Sequence, residues 1–151
     1  MSDRIASDAP AVPSHRTHLV RSGGTRLPAL GVPSAASLSG GERIRLVLDG
    51  RQCHARVQAG ADGAVIRGAY DTGGDLAVVD GRDDSVPPAE VENRLVAWCR
   101  GHDRERGDAV ELDEIDPGFH YGLRAPGERT VYDVLRRPDT GLRDIARDLD
   151  G

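Results

Sequence analysis

The chain has 151 residues, a formal charge of −5, 38% hydrophobic residues and only 3% aromatic ones. That length suits one domain, with a core filled by Val, Leu, Ile and Ala rather than by rings. All 20 basic residues are arginine, which excludes chemistry resting on a lysine Schiff base or a P-loop lysine.

The absence of lysine fits a salt-rich cytoplasm, where a weakly hydrated guanidinium still makes directional bonds; GC-rich codon usage produces the same bias. No apolar run reaches membrane-spanning length and no signal peptide follows Met1. The expectation is a cytoplasmic protein without membrane contact. Cys53 and Cys99 read as buried, reduced thiols. Residues 1–69 hold 9 Arg against 5 acids, and residues 70–151 hold 11 Arg against 20 acids. Such asymmetry suggests a basic face turned to an anionic partner.

In chain order, residues 1–14 lack period and read as a disordered arm. His15–Val20 and Thr25–Leu30 are strand candidates joined by a reversal at Ser22, Gly23 and Gly24. Glu42–Leu48 alternates, with Ile44, Leu46 and Leu48 on one face. Asp49-Gly50 is a hairpin turn signal, and Cys53–Val57 returns with Cys53, Ala55 and Val57 inward. Ala64–Tyr70 is a third strand of this ribbon. Its outer face gathers Arg43, Arg45, His54, Arg56 and Arg67 where acids are scarce.

Residues 71–88, rich in Gly, Asp and Pro, read as a long loop. Val91, Leu95, Trp98 and Cys99 fall at helical spacing. Ala109–Ile115 and the segment bearing Phe119, Tyr121 and Leu123 read as closing strands. Helices are expected at Thr130–Arg137 and, capped by Asp139 or Thr140, through Leu149. The outcome is a mainly β domain over residues 15–125 with a helical appendage over 126–151. Ile44, Leu46, Leu48, Ala55, Val57, Ile66, Leu95, Trp98, Val110 and Leu112 should be buried together, since a one-residue slip would bury Arg43, Arg45 and Arg56.

Candidate chemistry is sparse. Cys53-His54 with Cys99 and His102 could be added up into a zinc site, but neighbours on a strand point to opposite faces. The same holds for His15 and His18. No Ser-nucleophile elbow is visible. The Asp71–Asp84 acids lack calcium-loop spacing and read as solvated surface. The expectation is a non-enzyme with neither metal nor cofactor.

Gly41-Glu-Arg-Ile-Arg-Leu and Gly107-Asp-Ala-Val-Glu-Leu share a pattern of Gly, acid and alternating aliphatics. Two such units separated by a helix suggest a pseudo-symmetric barrel of six or seven strands. With LVRSGGTRLPAL (19–30), GERIRLVLDGRQCHARV (41–57) and LVAWCRGHDRERGDAVEL (95–112), residues 17–123 resemble the DNA-binding pseudobarrel of plant-specific transcription factors and restriction-enzyme effector domains. The Gly-acid repeat is also similar to double-psi barrels, among them AbrB-type regulators and the N-terminal domains of VAT-like AAA ATPases. The whole chain resembles an uncharacterised family of haloarchaeal proteins.

The pseudobarrel resemblance implies two arms gripping a DNA major groove. The first would be Arg21, Ser22, Gly23, Gly24, Thr25 and Arg26; the second would lie near Arg67, Gly68, Ala69 and Tyr70. The expected function is nucleic-acid binding, with duplex DNA as partner, in a regulatory or chromosome-associated role. The rival reading is a double-psi protein-interaction module whose C-terminal helices dock a partner or a second copy, and a hydrolase of unknown type stands third.

Overall fold

A computed structural model describes residues 4–21, 27–60 and 63–135. Nine strands and two α-helices follow in chain order: β1 (Arg4–Ala6), β2 (Ser14–Arg21), β3 (Pro28–Gly31), β4 (Arg43–Leu48), β5 (Arg51–Gly60), β6 (Gly63–Tyr70), α1 (Gly73–Val79), α2 (Arg94–Gly101), β7 (Ala109–Asp116), β8 (His120–Arg124) and β9 (Val131–Asp133). Seven of the strands close into a barrel in the order β2-β3-β6-β5-β4-β8-β7, and β1 pairs with β9 as a separate ribbon. Neighbouring barrel strands are antiparallel except β4 and β8, which run parallel.

Alternation decides which side of each strand faces in. The ten residues expected to be buried together lie in one cluster with Leu19, Leu30, Tyr121 and Leu123. The β4–β5 hairpin has Leu48 opposite Arg51, leaving Asp49 and Gly50 as a two-residue turn. Both take positive φ, 52° and 82°, as a type I′ turn requires and as Asp-Gly tolerates. Leu19 opposite Leu30 shows that β2 and β3 form the expected hairpin, although its Ser22–Arg26 connection lies outside the described residues.

The Gly-acid echo is a repeated piece of geometry. Gly41 N donates to Val57 O and Val57 N to Glu42 O; Gly107 N donates to Leu19 O and Leu19 N to Asp108 O. Gly41 and Gly107 have φ of 95° and 91°, so each strand begins from a left-handed residue closed onto a buried aliphatic of its neighbour.

Three expectations are corrected. The unstructured arm expected over residues 1–14 is not what residues 4–14 do: Ile5 lies opposite Tyr132, Ser7 N donates to Thr130 O, and Val12 is buried. The helix expected from Thr130 is a strand in its described part, where Val131 and Tyr132 favour extended backbone and Tyr132 is fully buried. The final helix through Leu149 lies outside the described residues. The loop expected over 71–88 contains α1, whose first turn is capped by Thr72 Oγ1 accepting from Asp75 N at 2.9 Å.

The β1–β9 ribbon is fastened to the outside of β7 and β8 by a buried carboxylate. Asp113 accepts from Arg124 at 2.7 and 3.1 Å, from Ser14 Oγ at 2.6 Å and from the Tyr132 hydroxyl. The Tyr132 ring occupies the space a side chain at position 122 would need: a Cβ on Gly122 would lie 2.2 Å from it. Burial, then the hydrogen bond to Asp113, push the Tyr132 phenol well above its usual range.

Candidate nucleic-acid interface

The outer face of β4, β5 and β6 carries the predicted cations in two lateral rows. Antiparallel register sets Arg43 opposite Arg56 and Arg45 opposite His54. On the other side Arg45 lies opposite His120 of β8, and His54 lies opposite Tyr70 of β6, so His120, Arg45, His54 and Tyr70 form one row across four strands. Arg67 stands at a bulge of β6, where the register slips between Ala55 and Val57 of β5. A small cavity of about 220 Å³ is lined in part by Arg56, Arg67, Tyr70 and Asp80.

The face is not as open as the alternation implies, because α1 lies over β5 and β6. From it Asp80 reaches Arg56 at 3.5 Å, with a side chain only 4% exposed. Asp80 thus belongs to the face rather than to solvated surface. Asp71 is likewise engaged, held well below the usual carboxylate range chiefly by its hydrogen bond to Arg94, with Arg51 adding to it. Arg43 and Arg67 are exposed, and Arg45 is half-buried with its Nε enclosed and without a hydrogen-bond partner. Among the described residues, Arg43, Arg45 and Arg67 form no ion pair.

The histidines of the second row are not cations at neutral pH. Burial, then the charge of Arg45, lower the His54 pKa. The same two causes bring His120 down to about 4, against an opposing pull from Asp116. His120 Nε2 lies 3.0 Å from Gln52 Oε1, so the ring donates there, and its buried Nδ1 has no partner. The permanent charge of the face therefore comes from Arg43, Arg45, Arg56 and Arg67.

The bulge that presents Arg67 is tied to the helix behind it. Asn93 caps α2 by accepting from Leu95 N and Val96 N at 3.1 and 3.4 Å. The same side chain accepts from Ala69 N and donates to Arg67 O. Asn93 is thus both an N-cap and a side-chain partner of the β6 backbone at the bulge. A shallow cavity of about 400 Å³ over β2, β3 and β6, lined by Thr17, Val20, Gly31 and Val65, has Arg67 on its edge.

Of the residues expected in the site, Arg43, Arg45, His54, Arg56 and Arg67 are brought onto one face. Arg21 is exposed at the end of β2, opposite Pro28 of β3, while Ser22, Gly23, Gly24, Thr25 and Arg26 lie outside the described residues. Sequence reasoning missed His120, Gln52 and Asp80. The parallel pairing of β4 with β8 that delivers His120 leaves no local signal, and Asp80 sits on the helix read as a loop. The two cysteines face the core, and burial pushes both thiols up to about 11, leaving little thiolate at neutral pH. No group of three or more His, Cys, Asp or Glu among the described residues is arranged to hold a metal ion.

Fold and face together define a small closed β-barrel with two helices and an arginine-rich outer surface. The chain belongs to a family of unknown function, DUF7112, which it matches over residues 1–149. No curated protein and no solved structure matches it. No helix among the described residues is long and apolar enough to cross a membrane.

Proposed function

We propose that this barrel binds nucleic acid, with duplex DNA as its ligand, through the outer face of β4, β5 and β6. The observation that carries the reading is the register of Arg43 against Arg56 with Arg67 beside them. Like charges directly opposite on adjacent strands destabilise a sheet, yet among the described residues only Asp80 offsets these three. A surface holding such repulsion gains when an anion settles on it, and phosphate oxygens match the guanidinium fork. Arg45 adds a fourth charge in the next row, and neutral His54 offers a hydrogen-bonding group beside it.

A lysine-free surface suits binding in concentrated salt. At about 1 M the Debye length is near 3 Å, so affinity there rests on short-range arginine–phosphate and arginine–base contacts. The role that follows is regulatory or chromosome-associated.

The test is a fluorescence-anisotropy titration of labelled duplex DNA, single-stranded DNA and duplex RNA with the wild type and the Arg43→Gln/Arg67→Gln variant. We expect the duplex DNA to bind and the variant to lose about tenfold or more in affinity, with little change in unfolding temperature because both side chains are exposed. Equal binding by variant and wild type would reject this face as the interface. Failure of all three nucleic acids to bind would favour a protein-interaction module.

A further inference from the structure

A second basic site lies away from the β4–β6 face. A cleft of about 620 Å³ opens between the C-terminal end of α2, the turn that follows it and the start of β3. Its floor is apolar: Val96 and Cys99 of α2 are buried, and Leu27, 42% exposed, stands at its edge. Its wall carries Arg100, Arg104 and Arg106, against a single lining carboxylate on Glu105. Among the described residues none of the three guanidinium groups makes an ion pair or hydrogen bond, and the Arg104 Nε is buried without a partner.

The backbone holds these groups in place. Arg104 N donates to Cys99 O at 2.8 Å, Gly107 N donates to Leu19 O at 2.7 Å, and Asp108 Oδ2 accepts from Glu105 N at 2.7 Å. The loop is therefore pinned at both ends while its arginine side chains remain unmatched. A buried guanidinium N–H without an acceptor costs free energy that a ligand oxygen recovers. The volume lies in the range of small-molecule sites, which combine an apolar lining with a few convergent polar groups.

We propose that this cleft binds a small amphipathic anion, an apolar body bearing a carboxylate or phosphate group. The anionic group meets Arg104 and its neighbours while the apolar body covers Val96, Cys99 and Leu27. The assignment does not rest on nucleic-acid binding, since it uses none of Arg43, Arg45, Arg56 or Arg67.

Calorimetric titration with phenyl phosphate, benzoate, inorganic phosphate and benzyl alcohol, combined with amide chemical-shift mapping, tests it. We expect phenyl phosphate or benzoate to bind about tenfold or more tightly than inorganic phosphate or benzyl alcohol, since both halves of the ligand are needed. The tighter of the two identifies the preferred head group. Shifts should centre on Val96, Cys99 and Arg104, and Arg104→Gln should weaken binding about tenfold, the worth of one charge-assisted contact, while Arg43→Gln leaves it unchanged. Should Arg104→Gln fold poorly, the exposed Arg106→Gln supplies the same comparison with a smaller loss. The proposal is overturned if no probe binds, if both cleft variants bind as the wild type does, or if the shifts map to Arg43 and Arg67 instead.

Discussion

Arg43 of β4 lies directly opposite Arg56 of β5, and among the described residues the only carboxylate set against the pair is Asp80, 3.5 Å from Arg56 at the end of α1. Asp80 therefore stabilises the unliganded sheet and competes with any anion for Arg56. We expect Asp80→Asn to tighten duplex binding by about threefold, since a part-exposed pair is worth under about 1 kcal/mol. Anisotropy titration measures it; weaker binding would mean that Asp80 positions Arg56 rather than masking it.

Asn93 joins the cap of α2 to the bulge that carries Arg67. Asn93→Ala removes the helix cap and leaves Ala69 N and Arg67 O without their side-chain partner. A loss of about 1–3 kcal/mol is expected by chemical denaturation, with weaker duplex binding as Arg67 loses its fixed position. A variant as stable as the wild type would show that water replaces the cap.

His120 makes the protein sensitive to acid. Its folded pKa, about 4, lies below the unfolded value of 6.5, so between these two pH values the unfolded chain binds more protons. Stability is thus fully present above about pH 6.5 and falls as pH drops toward 4, by a few kcal/mol at most. His54, shifted in the same direction, adds to the fall. Urea unfolding across this range should show the decline, and His120→Gln should flatten it; an unchanged slope in the variant would assign it to other groups.

Gly122 leaves room for Tyr132. Gly122→Ala forces the ring off β8 and strains its hydrogen bond to Asp113. Overpacking of this kind typically costs about 1–3 kcal/mol, seen as a lower unfolding temperature. A variant with an unchanged temperature would show that the β1–β9 ribbon contributes little to the fold.

What could be read from the sequence was what repeats locally. Ile44, Leu46 and Leu48 alternate with Arg43 and Arg45, and Asp49-Gly50 demands one turn type, so hairpin, register and the cationic row followed. Contacts between distant segments could not be read. Three-residue strands such as β1 and β9 carry too few periods to register, and each is defined by the other. The parallel alignment of β4 with β8 places His120 beside Arg45 through tertiary pairing alone. α1 was hidden because Gly73-Gly74 and scattered aspartates imitate a loop, and with it went the covering of Arg56. Arg100, Arg104 and Arg106 form a cleft wall only once β3 has been set against α2.

The salt dependence of duplex binding tests the phosphate role of Arg43 and Arg67 most directly. On duplex DNA, each phosphate neutralised adds about 0.9 to the slope of log affinity against log salt. We expect the wild type to show a clear negative slope below molar salt, and Arg43→Gln/Arg67→Gln to reduce its magnitude by about two. A double variant with the wild-type slope and affinity, or a wild type that binds no duplex, would contradict it.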